Sequence, residues 1–250
     1  RVRAIGGVTV REFAPAKLTW FLEVTGRRPD GFHTLRSEMV TLDLGDWLSF
    51  DEGDSLTMTP DVGVSTGPDN LVRRALDLVG RRAAVTVEKS IPVGAGLGGG
   101  SADAGAVLRW AGGVDDDAAL TLGSDVPFCQ RGGRALVEGV GESVTPLAFD
   151  DRLVTLFLPD FGVNTASCYR AFDELVDRGV PIVGRNHLEA AAVRVEPRLT
   201  PTLLWLRERY GDVVLAGSGS TCFVEGHLEG DDVLESPVGA LRVVRARTIP

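Results

Sequence analysis

The sequence predicts an α+β fold, and three observations carry that prediction. Short β-type runs crowd the first half without regular βαβ alternation, an isolated stretch has helical spacing, and a glycine-packed loop runs straight into a small-residue helix. Leu18-Thr19-Trp20-Phe21-Leu22-Glu23-Val24 is the first β run, and Arg28-Pro29-Asp30-Gly31 after it is a turn. Residues 39–44 lead into a strand ending near Phe50, and 56–59 and 84–88 add two more. Between these, residues 70–79 place apolar side chains at 71, 72, 75, 76, 78 and 79, a helical period. The apolar run 153–158 reads as a buried strand, followed by helices from about 167 to 178 and from about 201 to 209. Residues 213–216 then enter a second small loop, Gly217-Ser218-Gly219-Ser220-Thr221, before a strand at 222–225. A composition shift at Phe149-Asp150-Asp151 marks the expected boundary between domains 1–150 and 151–250.

The glycine-packed loop is the strongest chemical signal. Pro92-Val93-Gly94-Ala95-Gly96-Leu97-Gly98-Gly99-Gly100-Ser101 has five residues with no Cβ to hold a ligand away, and a helix is expected from Ser101 to Ala111. Backbone N–H groups of such a loop and the positive end of the helix dipole together suit a phosphate. A nucleotide P-loop would need Gly-Lys-Ser/Thr, and the sequence here is Gly99-Gly100-Ser101. Gly94, Gly96 and Gly99 also match the dinucleotide fingerprint formally, with Asp115 and Asp116 beyond it. Asp115, however, lies in an acidic turn with no second strand before it.

Composition limits the function classes. With 250 residues, 44% hydrophobic and 24% charged, the chain can bury a substantial core. A net charge of −9 argues against a nucleic-acid or anionic membrane surface, although local cations could still hold a phosphate-bearing small ligand. Cys129, Cys168 and Cys222 are odd in number and far apart, so they read as packed thiols in a reducing compartment. His33, His187 and His227 form no metal-ligand spacing. No run approaches the roughly 20 apolar residues of a membrane span, no signal pattern opens the chain, and a cytoplasmic protein is expected. The chain begins at Arg1 without methionine, so a trimmed N-terminus is expected.

Four segments, taken in order, resemble the GHMP small-molecule kinases: Ala14-Pro15-Ala16-Lys17-Leu18, the loop from Pro92 to Ser101, Gly123-Ser124-Asp125-Val126-Pro127-Phe128, and Leu215-Ala216-Gly217-Ser218-Gly219-Ser220. The loop fits that family's ATP-binding pattern, Pro-x-x-x-Gly-Leu-Gly-x-x-Ser, and the resemblance runs from about residue 12 to 225. It implies a two-domain fold, with an N-terminal part like ribosomal protein S5 domain 2 and a ferredoxin-like C-terminal part. It also implies phosphoryl transfer from ATP with magnesium, which ATP itself would mainly hold, with the Ser101 hydroxyl capping the helix or touching magnesium or a phosphate, uses that are compatible. Together with Asp30-Gly31-Phe32-His33, the segments look most like the branch acting on a cytidine-diphosphate-linked methylerythritol in the non-mevalonate route to isoprenoid precursors.

The roles implied are these. Asp125 takes or orients the acceptor hydroxyl proton, and Lys17 keeps Asp125 ionised and balances charge near the γ-phosphate. Asn70 and Lys89 lie near the nucleotide, although a lysine ending a strand is commonly just solvated. A cytosine ring would stack between Phe32-His33 and a second aromatic, for which Tyr169 fits; its other reading is a helix residue packed on its own domain. Thr19 stands where the family has asparagine, weakening a substrate hydrogen bond there, and Gly217, Ser218 and Gly219 would line the substrate side. The 112–120 segment is short, so a helix there is trimmed. Two other functions fit the same residues: a GHMP kinase for another alcohol, and a non-catalytic nucleotide sensor. A monomer and a homodimer are both compatible with the sequence.

Overall fold

The computed structural model describes residues 9–250, so the chain start at Arg1 lies outside the described residues. The elements are β1 (Val10–Arg27), β2 (His33–Asp51), β3 (Ser55–Thr59), α1 (Leu71–Leu78), β4 (Ala84–Glu88), α2 (Gly99–Trp110), α3 (Asp116–Leu120), α4 (Val126–Arg131), β5 (Arg134–Gly139) and β6 (Ser143–Pro146). They continue as β7 (Leu153–Pro159), α5 (Thr165–Asp177), α6 (Glu189–Val195), α7 (Leu199–Tyr210), β8 (Val214–Leu215), β9 (Cys222–Glu225), β10 (Val233–Ser236) and β11 (Gly239–Ile249).

One sheet runs through the molecule in the order β3-β4-β2-β11-β7-β9-β8, with β1 and β5 also on β2, β6 on β5 and β10 on β11. Apart from β3 with β4, its ladders are antiparallel, so the expected α+β arrangement holds. The β1–β2 hairpin is longer than the runs that announce it. Its register slips between Pro15 and Lys17, between Thr19 and Phe21, and between Val24 and Gly26, and these irregularities bend the long pair. Its tip is the expected turn, closed by Gly31 N–H to the Arg28 carbonyl at 2.9 Å.

Two buried cores flank the sheet. The first gathers the inward residues of β1 to β5 with Val72, Leu76, Leu97, Leu108 and Phe128. The second gathers α5, α6 and α7, with Leu22 reaching it from β1. Strand β7 lies between them: Val154, Leu156 and Leu158 enter the first core and Phe157 the second. Burial on both faces is why its sequence is nearly continuously apolar.

Helix starts follow local chemistry. Asn70 accepts from Val72 N–H to cap α1, Asp115 accepts from Ala118 N–H to cap α3, and Asn164 accepts from Ser167 N–H to cap α5. Asp115 is therefore a cap, in keeping with rejection of the dinucleotide fingerprint. Helix α3 has five residues, the trimmed element expected in the short 112–120 segment. Among the described residues no helix is long and apolar enough to cross a membrane.

Candidate active site

A cleft of about 1050 Å³ opens where β1, the β1–β2 tip, the glycine loop, the start of α4, the start of α5 and the 217–218 loop converge. All ten residues from Pro92 to Ser101 line it. Within the loop Ala95 and Leu97 turn their side chains into the core, while Val93 is exposed, so packing pins the loop from below and leaves its backbone on the cleft. Gly96 and Gly98 have φ of 79° and 70°, the left-handed region that glycine alone enters cheaply. A Cβ at Gly98 would stand 2.7 Å from Lys17 Cγ, and one at Gly96 would stand 2.4 Å from the Ala216 carbonyl oxygen.

Helix α2 begins at Gly99, two residues earlier than expected, with Gly98 at its N-cap and no side-chain cap. Ser101 is therefore inside the first turn, and the cap role considered for it is not made. The left-handed Gly98 ends the loop abruptly, and close packing of Gly99 on Ile91 and Lys89 brings these glycines into the helix despite their poor propensity. N–H groups in the first turn consequently face the cleft without a side-chain partner.

Lys17 passes beneath this loop. Its backbone N–H donates to the Leu97 carbonyl at 3.0 Å, where the strand register has slipped. Its ammonium, on a residue only 6% exposed, lies 3.3 Å from Asp125 Oδ2 and donates to Thr19 Oγ1 at 3.1 Å. Asp125 occupies the N-cap position of α4 yet makes no capping hydrogen bond, so its carboxylate stays on the cleft, with its side chain 29% exposed. Thr19, expected to face substrate, is buried and accepts from Lys17.

Lys89 does not stand free at a strand end. Its ammonium donates to Asp46 Oδ2 at 2.5 Å and to Asp103 Oδ2 at 2.9 Å, all three side chains being almost wholly buried. Burial alone would lower the Lys89 pKa, but the two carboxylates overcome it and the pKa ends raised. Burial pushes the Asp103 carboxyl up to about 7 against the opposing pull of Lys89. Asp46 Oδ1 also accepts from the N–H groups of Ser90 and Ile91, which fixes the entry to the loop. Asn70 lines the cleft, but its amide is engaged locally, accepting from Val72 N–H and donating to the Ser65 carbonyl.

At the other end of the cleft Phe32 is 59% exposed on the hairpin tip. His33 stacks on Tyr169, with ring centroids 4.8 Å apart and planes at 22°, and its Nε2 lies 2.6 Å from Asp173 Oδ1. Of the aromatic set expected from the sequence, His33 and Tyr169 are in contact while Phe32 lines the same cleft, and one face of Tyr169 carries His33. A base stacking on Tyr169 must use the other face or displace the imidazole. Tyr169 also packs against the second core, and its burial raises the phenol pKa, so both readings of this residue have structural content. Gly217 and Ser218 line the cleft, with Ser218 Oγ 2.9 Å from Thr165 Oγ1. Gly219 is not part of the lining; a Cβ there would face Leu215 and Val163, so it serves packing beneath the loop.

Comparison with known proteins fits this arrangement. The family model for the GHMP kinases N terminal domain matches residues 70–133. The 4-diphosphocytidyl-2-C-methyl-D-erythritol kinase of Paracoccus denitrificans is 40% identical over 234 residues, covering 85% of each chain. That of Alcanivorax borkumensis is 34% identical over 257 residues, covering 89% of this chain and 85% of the relative. The chain belongs to the 4-diphosphocytidyl-2-C-methyl-D-erythritol kinase family. A crystal structure of a 4-(cytidine 5'-diphospho)-2C-methyl-D-erythritol kinase superposes with a TM-score of 0.70 at 31% identity, over 96% of this chain and 99% of that one. A mevalonate kinase with a TM-score of 0.56 at 13% identity shares the two-domain GHMP fold.

Within this kinase framework the sequence left Asp46 and Asp103 unmarked. Asp46 is 43 positions from Lys89, and no local pattern announces a partner at that distance. Asp103 had a weak signal, as an acidic residue in the otherwise small-residue first turns of the helix that follows the loop.

Proposed function

We propose that this kinase transfers the γ-phosphoryl group of ATP to the 2-hydroxyl of 4-diphosphocytidyl-2-C-methyl-D-erythritol. The observation that carries this reading is the Lys17–Asp125 pair, 3.3 Å apart and joined to the phosphate loop through Lys17 N–H and the Leu97 carbonyl. Phosphoryl transfer asks a protein mainly for positioning and for charges placed where negative charge develops. The loop N–H groups and the start of α2 would cradle the triphosphate. Asp125 would accept the proton of the attacking hydroxyl, and the Lys17 ammonium beside it would face the transferring group.

No three His, Cys, Asp or Glu side chains among the described residues are grouped to cage a metal. A magnesium ion carried by phosphates needs only one or two protein oxygens, and the Ser101 hydroxyl, which caps no helix, fits that demand. Bound there, the ion would neutralise phosphate charge. Phe32, His33 and Tyr169 would receive the cytosine. We place a division at 150/151, between a part holding nucleotide and catalytic pair and a part supplying Tyr169.

The test mixes the protein with magnesium, ATP and the cytidine-diphosphate substrate and follows ADP. Substrate-dependent ADP release supports the assignment. Turnover of mevalonate or homoserine instead, with none of the cytidine compound, would overturn it.

A further inference from the structure

Two polyphosphates have to share a cleft whose own charge is not basic. Its lining includes four strong cations, Lys17, Arg27, Lys89 and Arg170. Three are already balanced: Lys17 by Asp125 at 3.3 Å, Arg27 by Asp173 at 3.2 Å, and Lys89 by Asp46 and Asp103. Among the described residues Arg170 alone of the four has no carboxylate within ion-pair distance. Its Nη2 donates to Ser167 Oγ at 2.8 Å, one turn back on α5, which steadies the guanidinium and leaves its other N–H groups free of carboxylate.

Position adds to charge. Arg170 follows Tyr169 directly on α5 and lines the same cleft as Tyr169, Asp125 and the glycine loop. In the substrate the diphosphate joins the cytidine to the alcohol, so it must leave the base platform and run towards Asp125. A guanidinium beside the platform meets that diphosphate before any other unbalanced cation does. Its planar fork suits two phosphate oxygens at once.

We propose that Arg170 is a substrate-binding residue that holds the diphosphate of the cytidine-diphosphate substrate, setting selectivity for the charged nucleotide over an uncharged nucleoside. This rests on the function proposed above. Partial exposure makes the contact sensitive to salt, because screening at physiological ionic strength acts over about 8 Å.

CDP and cytidine serve as probes, each measured as a competitive inhibitor of the natural substrate for the parent enzyme and for Arg170→Ala and Arg170→Lys. Loss of a charge-assisted phosphate contact is expected to raise the inhibition constant of CDP and the KM of the substrate about tenfold or more. Cytidine inhibition, the KM for ATP and kcat should each stay within about threefold, and Arg170→Lys should recover part of the loss because it keeps the charge without the fork. Equal weakening of CDP and cytidine would place Arg170 on the base and overturn the proposal. A rise in KM for ATP with CDP unaffected would assign the cation to the other nucleotide and overturn it as well, as would no change in either. A parent enzyme that turns over no cytidine-diphosphate substrate and binds neither probe removes the proposed function first. A parent that does both, with CDP indifferent to Arg170, removes this inference alone.

Discussion

At Lys17 the ammonium is ion-paired with the Asp125 carboxylate and donates to the Thr19 hydroxyl, and both partners lie on the cleft lining. Asp125→Asn keeps volume and an acceptor for Lys17 but cannot take a proton. The expected result is a kcat lowered about 10²–10⁴-fold with little change in melting temperature, read from steady-state ADP release and a thermal melt. The buried Lys89 cluster predicts a pH effect instead. Asp103 titrates at about 7 when folded against an ordinary 3.8, so over that interval the folded chain keeps a proton that the unfolded chain releases. Stability contributed by this group therefore falls as pH rises through the interval, and the penalty is complete above about pH 7. Asp103→Asn removes the charge while Asp46 remains as counter-ion for Lys89. Its stability advantage over the parent should grow from pH 5 to pH 7.5 and then level off in urea unfolding at stepped pH; a constant difference would contradict the assignment.

Helices α2 and α4 place the glycine loop and Asp125 relative to one another, and Gly105 packs one helix on the other. A Cβ there would stand 2.7 Å from the carbonyl carbon and oxygen of Cys129, so backbone would have to move. Because α4 carries Asp125 at its start, Gly105→Ala should cost about 1–3 kcal/mol of stability and also lower kcat, as chemical unfolding and initial rates would show. Element by element, what local pattern could announce was legible. The 84–88 and 153–158 strands and the helix near 70–79 stand within a residue or two of their expected places. Strand β11 was not foreseen, although it joins β2 to β7 in the middle of the sheet. Arginines at 242, 245 and 247 interrupt its apolar residues, and only pairing with β7 explains why such a strand is central. Site residues divide the same way. Lys17, the loop and Asp125 sit in contiguous motifs, whereas Asp46 gains meaning only when the β1–β2 hairpin folds over the start of the loop.

Across the whole molecule many polar contacts join the first half to the second, and Glu38 makes one of them, to Arg152, beside a contact within the first half, to Arg134. Its Oε1 accepts from Arg134 Nε and Arg152 Nη1, each at 2.9 Å, joining β2 to β5 and to the approach to β7. The Arg152 guanidinium also lies over the Trp20 ring at 4.2 Å. Glu38→Ala would leave Arg134 and Arg152 with only the half-exposed Asp150 carboxylate, at 4.0 and 2.7 Å, and a loss of about 2 kcal/mol is expected by urea unfolding, with Glu38→Gln intermediate. Activity should change less than stability, since Glu38 does not line the cleft.

The seam between the two glycine segments binds these scales together. Val163 N–H donates to the Gly94 carbonyl, Thr221 N–H donates to the Ala95 carbonyl, and Gly96 has room for no side chain against Ala216 and Gly219. Backbone from the second half therefore grips the loop that would hold ATP, and the adjoining Gly217 and Ser218 line the same cleft. We predict that displacing one side displaces the other, so that the two ligands would share a coupling free energy, which linkage makes symmetric. Whatever factor the cytidine compound imposes on the dissociation constant of a non-hydrolysable ATP analogue, the analogue must return to the cytidine compound unchanged.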